Sequence, residues 1–137
     1  MKSSIHHILL SVLLVSSAAG CKTTVKSATE APALGADATI VAKKNKTGVY
    51  GVSIEVINLA PAPRLDAEST NYVVWLVTKN APAVRAGALS YDEDDRRGVL
   101  EATCPSAQFN VMVTLEKDAN PASPSGKGIL NVAIAAR

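Results

Sequence analysis

Beyond His7 the chain contains no histidine. Nothing built from the residues that follow can therefore use a Ser-His-Asp triad, a Cys-His pair or an imidazole metal site. Cysteine is as scarce, at Cys21 and Cys104 alone, too few for a disulfide framework. Neither sign of charge is in excess: the formal net charge is +2, about +1 without Lys2. That balance points away from nucleic acid and from a strongly anionic surface, since either calls for a basic patch. Lys43, Lys44 and Lys46 form the only basic cluster in the sequence and read as a solvated loop. No apolar run reaches the roughly 20 residues of a membrane-spanning helix.

What is present at the N-terminus is organised. Lys2 precedes an apolar run from Ile8 to Val15, interrupted by Ser11, and Ser16-Ser17-Ala18-Ala19-Gly20-Cys21 follows. A basic start, a short apolar stretch and small residues make a secretory signal peptide over residues 1–20. Ala18-Ala19-Gly20-Cys21 resembles the lipobox of bacterial lipoproteins, in which small residues stand directly before an invariant Cys, although Ala18 occupies a position where that family most often has Leu. The resemblance implies cleavage between Gly20 and Cys21, transfer of a diacylglycerol to the Cys21 thiol and acylation of the new N-terminus. The alternative is an ordinary signal peptide cut after Ala19 or Gly20, with Cys21 left as a thiol. Each buried CH₂ contributes about 0.8 kcal/mol, so two or three acyl chains hold a protein on a bilayer. Lys22, where that family's inner-membrane members carry Asp, implies the outer membrane in a host with two. If Cys21 carries lipid, Cys104 lacks a partner and reads as a buried strand-end residue, because free Cys behaves as a small hydrophobe.

Removal of the signal leaves just under 120 residues, enough for one domain. Residues 21–38, with Pro32 and Gly35 among Thr, Ser, Ala and Glu, read as the lipidated Cys and a flexible tether that cannot offset its ordering entropy. Residues 39–137 then form the domain. Thr39–Ala42 and Val49–Leu59 are strand-like, the second with Val52, Ile54 and Val56 on one face. Ala60-Pro61-Ala62-Pro63 interrupts pairing. Tyr72-Val73-Val74-Trp75-Leu76-Val77 reads as a central strand, with Trp75 filling the space between two sheets. Arg85–Tyr91 is one further strand and Val99–Thr103 a weakly alternating one. Phe109, Val111, Val113 and Leu115 alternate with polar neighbours, and a last strand carries Leu130, Val132 and Ile134. About seven short strands with closely spaced turns predict an all-β, immunoglobulin-like β-sandwich.

Tyr72-Val73-Val74-Trp75-Leu76-Val77, then Pro82, then Ala86-Gly87-Ala88-Leu89, resembles the C-terminal domain of bacterial anti-sigma-K factors. Phe109-Asn110-Val111-Met112-Val113-Thr114-Leu115-Glu116 is similar to that family's Val-Thr-x-Glu strand, and Asn120–Gly128 to its Gly-Ser-x-x-Pro-Thr-Gly-Pro loop, with Asn120 in place of the usual glycine. The likeness spans about Asn71 to Leu130. It implies an exported sandwich domain. The cytoplasmic sigma-binding module and transmembrane helix of that family have no counterpart here, so direct sigma-factor inhibition is not implied.

No catalytic constellation emerges. Asp92, Glu93, Asp94 and Asp95 make the one dense carboxylate cluster, but without the alternation and glycine of a calcium loop, and Arg96-Arg97 follow at once. Ser125-Gly126-Lys127-Gly128 lacks the rest of a phosphate-binding loop. The sequence therefore predicts a membrane-anchored, non-catalytic binding or sensing module that uses no cofactor or metal and binds no nucleic acid, with an envelope protein as partner. Its candidate contact residues are Asp92, Glu93, Asp94, Asp95, Asn120 and Ser125, on the Asp92–Arg97 and Asn120–Gly126 loops. A structural envelope lipoprotein without a dedicated ligand, or a hydrolase with an unrecognised site, are the alternatives.

Overall fold

A computed structural model describes residues 21–137. The signal-peptide reading of residues 1–20, Gly20 included, lies outside the described residues. Nine strands and one helical turn follow in order: β1 (Lys22–Ala28), β2 (Asp37–Lys44), β3 (Tyr50–Ile57), α1 (Ala62–Leu65), β4 (Asn71–Val77), β5 (Val84–Ala88), β6 (Ser90–Asp92), β7 (Arg97–Cys104), β8 (Gln108–Glu116) and β9 (Gly128–Ala135). They form two antiparallel sheets, β1-β2-β3-β7-β6 and β5-β4-β8-β9. Without β1, the order β2-β3-β7-β6 against β5-β4-β8-β9 is that of an immunoglobulin sandwich with one added strand, β5, on the smaller sheet.

Period-two alternation sets the interior. β3 turns Tyr50, Val52, Ile54 and Val56 inward, and β8 turns in Phe109, Val111, Val113 and Leu115. Register aligns them with neighbours: Ile40, Ile54 and Leu100 form one row across the larger sheet, and Val74, Val113 and Leu130 another across the smaller. Each such aliphatic side chain contributes about 1.5–3 kcal/mol when fully buried. Cys104 closes β7 as a free, buried thiol. On β9, a register shift at Val113/Thr114 brings both Ile129 and Leu130 inside, so alternation holds only from Leu130 onward.

Three sequence expectations are corrected. Residues 22–38 are not a flexible tether. All seven residues of β1 pair with β2, from Lys22 opposite Lys43 to Ala28 opposite Asp37. The turn that follows buries Ala33 and Ala36 and is closed by the Thr29 hydroxyl on the Ala33 and Ala36 carbonyls. An edge strand needs little apolar surface, and Val25 alone packs against the core, so main-chain pairing does what composition did not announce. Second, Arg85–Tyr91 is two strands in different sheets. Buried Leu89 is the crossover, its N–H donating to the Tyr72 carbonyl at 2.8 Å. With β1, this raises the strand number from about seven to nine. Third, Trp75 does not lie between the sheets. Tyr72, Val74 and Leu76 of β4 enter the inter-sheet cluster, while Val73 and Trp75 point to the opposite face and are still fully buried.

Backbone amides of Lys22–Ala28 should exchange with solvent deuterium as slowly as those of other edge strands. Exchange at unprotected rates across this segment in a native sample would restore the tether.

Candidate functional site

Register fixes which loops share an end. Lys22 lies opposite Lys43, Lys44 opposite Tyr50, Tyr50 opposite Cys104 and Gln108 opposite Ala135, so these residues and Cys21 mark one end of the sandwich. The turn at 29–36, the connection 58–70, the hairpin between β6 and β7 and the loop 117–127 lie at the other. Both loops nominated by the sequence thus come to the end far from Cys21. In immunoglobulin strand order this is the end of the B–C and F–G loops, which serve recognition in variable domains.

Asp92, the last residue of β6, is a turn former. Its Oδ1 accepts the N–H groups of Asp94 and Asp95 at 3.0 and 3.2 Å, and Arg96 takes a left-handed φ of 49°. Arg97 then donates from Nε and Nη2 to Glu55 at 2.9 and 2.5 Å. Glu93, Asp94 and Asp95 remain exposed. Among the described residues, no group of three or more His, Cys, Asp or Glu side chains is placed to hold a metal ion. The 58–70 connection is held by two tyrosines, Tyr91 from the hairpin and Tyr72 from β4. Tyr91 donates to the Leu59 carbonyl at 2.6 Å and Tyr72 to the Ala60 carbonyl, while the Leu59 N–H donates to the Arg96 carbonyl at 2.9 Å. The two rings sit 5.8 Å apart, tilted by 59°. Burial first, and Tyr91 second, push the Tyr72 phenol far above its ordinary range; burial is also the main cause of the rise at Tyr91. Both stay neutral and keep their donor hydrogens.

The loop 117–127 is organised by a residue the sequence did not nominate. Glu116 ends β8 with its side chain buried. Its Oε1 accepts the Thr114 hydroxyl at 2.8 Å, the Ser125 N–H at 2.9 Å and the Gly126 N–H at 3.1 Å; its Oε2 accepts the Ser125 hydroxyl at 2.6 Å. Thr114 in turn accepts the indole N–H of Trp75 at 2.9 Å. On the other side of Trp75, Arg85 donates to the Pro121 carbonyl at 2.5 Å. The loop therefore folds back across the outer face of the smaller sheet, over Trp75. Burial opposes the charge on Glu116, but the bonds from Ser125, Gly126 and Thr114 outweigh it and hold the carboxyl below its ordinary value. Gly126 is required sterically: a Cβ there would lie 1.5 Å from the Leu115 carbonyl oxygen.

This placement changes the reading of Ser125. Its N–H and hydroxyl are both taken up by Glu116, so it braces the loop; like Asn120 it is exposed as a residue, but its donors are already committed. Beside Glu116 lies an open cleft of about 490 Å³ bordered by Asp66, Glu68, Lys117 and Lys127. Its charges are largely matched internally. Asp66 accepts the Ser69 hydroxyl at 2.9 Å, which with the Glu68 N–H keeps its carboxyl below the ordinary value, and Lys117 pairs with Glu68 at 2.5 Å. The signal that could have found Glu116 is its position: a strand-ending carboxylate two residues after Thr114 and just before a Pro/Ser/Gly loop rich in N–H donors.

No known family model, curated protein or solved structure matches this chain.

Glu116→Ala strands the donors of Thr114, Ser125 and Gly126, and should cost about 2–3 kcal/mol of unfolding free energy. The pH dependence has a definite sign. A depressed native pKa means stability that is complete above the unfolded value near 4.5 and lost as pH falls through the native value. Asp66 contributes to the same acid limb, so the comparison needed is wild type against Glu116→Gln. The variant's melting temperature should fall less steeply below pH 4.5 than that of the wild type; equal slopes would remove Glu116 from this role.

Proposed function

We propose that this chain is a membrane-anchored lipoprotein, acylated at Cys21, whose non-catalytic β-sandwich recognises an envelope partner with the loops at its far end. The observation that carries the reading is the placement of Cys21. It is exposed, stands one residue before β1, and lies at the end opposite the Asp92–Arg97 and 117–127 loops. An acyl anchor on this residue meets no obstruction from the domain and leaves the candidate loops facing away from the bilayer. Outer-membrane residence follows from the sorting preference attached to Lys22.

The domain is read as an exported sandwich of the anti-sigma-K C-terminal type. In support, the separate sequence pieces that carry that resemblance meet in space: Trp75, Thr114, Glu116 and Ser125-Gly126 are joined by one chain of hydrogen bonds. Binding rather than catalysis is supported by the chemistry of the Ser125 hydroxyl at the candidate loop. Ser125 donates to Glu116, but that carboxylate already accepts three other donors and has a depressed pKa, which makes it a weak base. The thiol of Cys104 is buried, and no histidine is among the described residues. The braced hairpin and loop instead present fixed, polar surfaces, and pre-organised surfaces bind with little ordering cost.

Intact mass and membrane fractionation of the protein expressed from its full sequence, beside Cys21→Ala, test the anchor. Diacylglyceryl addition and membrane retention are expected for the wild type and their loss for the variant. A soluble wild type of unmodified mass would discard the lipoprotein reading.

A further inference from the structure

The fold gathers at the Cys21 end the Lys43, Lys44 and Lys46 cluster and three cations distant from it in the sequence. Lys22 and Lys43 are register partners, Lys44 ends β2, and Lys46 lies in the turn to β3. Lys79 lies in the turn between β4 and β5, and the Arg137 N–H donates to Thr23 Oγ1 at 3.2 Å, fixing Arg137 beside the start of β1. All six side chains are exposed, and no Asp or Glu belongs to these turns or strand ends. Glu55 and Glu101 sit within β3 and β7, and Asp66, Glu68, Asp118 and the Asp92–Asp95 run lie at the far end. The two ion pairs among the described residues, Arg97–Glu55 and Lys117–Glu68, involve none of the six. The basic cluster at Lys43, Lys44 and Lys46 is thus extended by Lys22, Lys79 and Arg137 into a patch.

We infer that this end is a docking face for the anionic headgroups of a phospholipid bilayer. The proposal rests on Cys21 being the acylated residue and adds an orientation to it. Because β1 starts at Lys22, no slack separates the acyl chains from the domain, and the surface around Cys21 must lie at the headgroups. That surface is cationic. One lipid signal and a polybasic patch reinforce each other, and each Lys or Arg near an anionic leaflet adds to the attraction. An acidic protein is the other occupant such a face fits, but continuity with the anchor places lipid phosphate there first.

Residues 21–137 contain both sheets and their whole core, so the chain from Cys21 with Cys21→Ser isolates the electrostatic part. Sedimentation with phosphatidylcholine vesicles containing about one third phosphatidylglycerol should show binding that is absent with phosphatidylcholine alone and disappears on raising the salt. Combined Lys43→Gln, Lys44→Gln and Lys46→Gln should weaken that binding by roughly a hundredfold, with an unchanged melting temperature as the control for folding. Equal binding by both proteins, or capture of polyglutamate without any vesicle binding, would overturn the docking face. Failure of the acylation itself is read separately, from the mass of the wild type extracted from membranes.

Discussion

The far end of the molecule depends on a buried carboxylate. Sheets of a sandwich normally show one face to solvent, but here the outer face of β4 carries Val73 and Trp75, which require cover. The cover is the loop 117–127, a segment with too few apolar residues to hold itself there. Glu116 supplies what the loop lacks. An ionised carboxylate is purely an acceptor with room for several donors, and a turn rich in free N–H groups and serine hydroxyls is purely in need of one. Four donors converge on it, which is the condition under which a buried charge is tolerated. A glutamine would present an amide where Ser125 Oγ or two N–H groups now donate, so the requirement is for charge as well as shape.

A second brace works by the opposite chemistry. Tyr72 and Tyr91 are neutral donors, kept so by burial, and their targets are the successive carbonyls of Leu59 and Ala60. Those carbonyls need partners because Pro61 and Pro63 remove the chain from any sheet. The crossing from β3 to β4 is thereby tied to β6 at the same point where Leu59 enters the core. Carboxylate on one side and paired phenols on the other hold two loops that differ in charge but share a surface orientation.

The legible part of this fold was its periodic part. Val52, Ile54 and Val56, and Phe109 through Leu115, alternate so strictly that sheet faces follow from them directly. Three other features depart from what their local pattern suggests, for distinct reasons. Lys22–Ala28 also alternates, with Thr23, Val25 and Ser27 turned partly inward, but an edge strand with one apolar side chain is indistinguishable by composition from a linker. Arg85–Tyr91 hides a sheet change because Leu89 continues the apolar pattern through the crossover. Trp75 was placed in the interior because a large apolar side chain in a central strand is usually there; what moved it outside was a loop whose hold depends on a tertiary hydrogen bond. The candidate loops were found from turn chemistry, yet Glu116 was not, since burial of a strand-end carboxylate is visible only once the loop is folded over it.

The separation of charge is the least legible feature and the one with the longest reach. Lys22, Lys79 and Arg137 join the Lys43, Lys44 and Lys46 cluster only through strand order, register and chain-end contacts, and the near-zero net charge conceals the patch. An eight-residue strand such as β2 spans roughly 26 Å, whereas the screening length at physiological salt is about 8 Å. In the proposed orientation the acidic far end is therefore beyond the reach of the bilayer that the basic end would touch. A chain of uniform charge would have no electrostatic reason to stand upright on an anchor; with the proposed acyl chains at Cys21, tilting this one would remove cations from the headgroups and bring Glu101 and Glu55 toward them. Under the proposed acylation, the basic end, the paired sheets and the braced acidic loops would form one directional arrangement, because β1 starts at Lys22 and leaves no tether to decouple them.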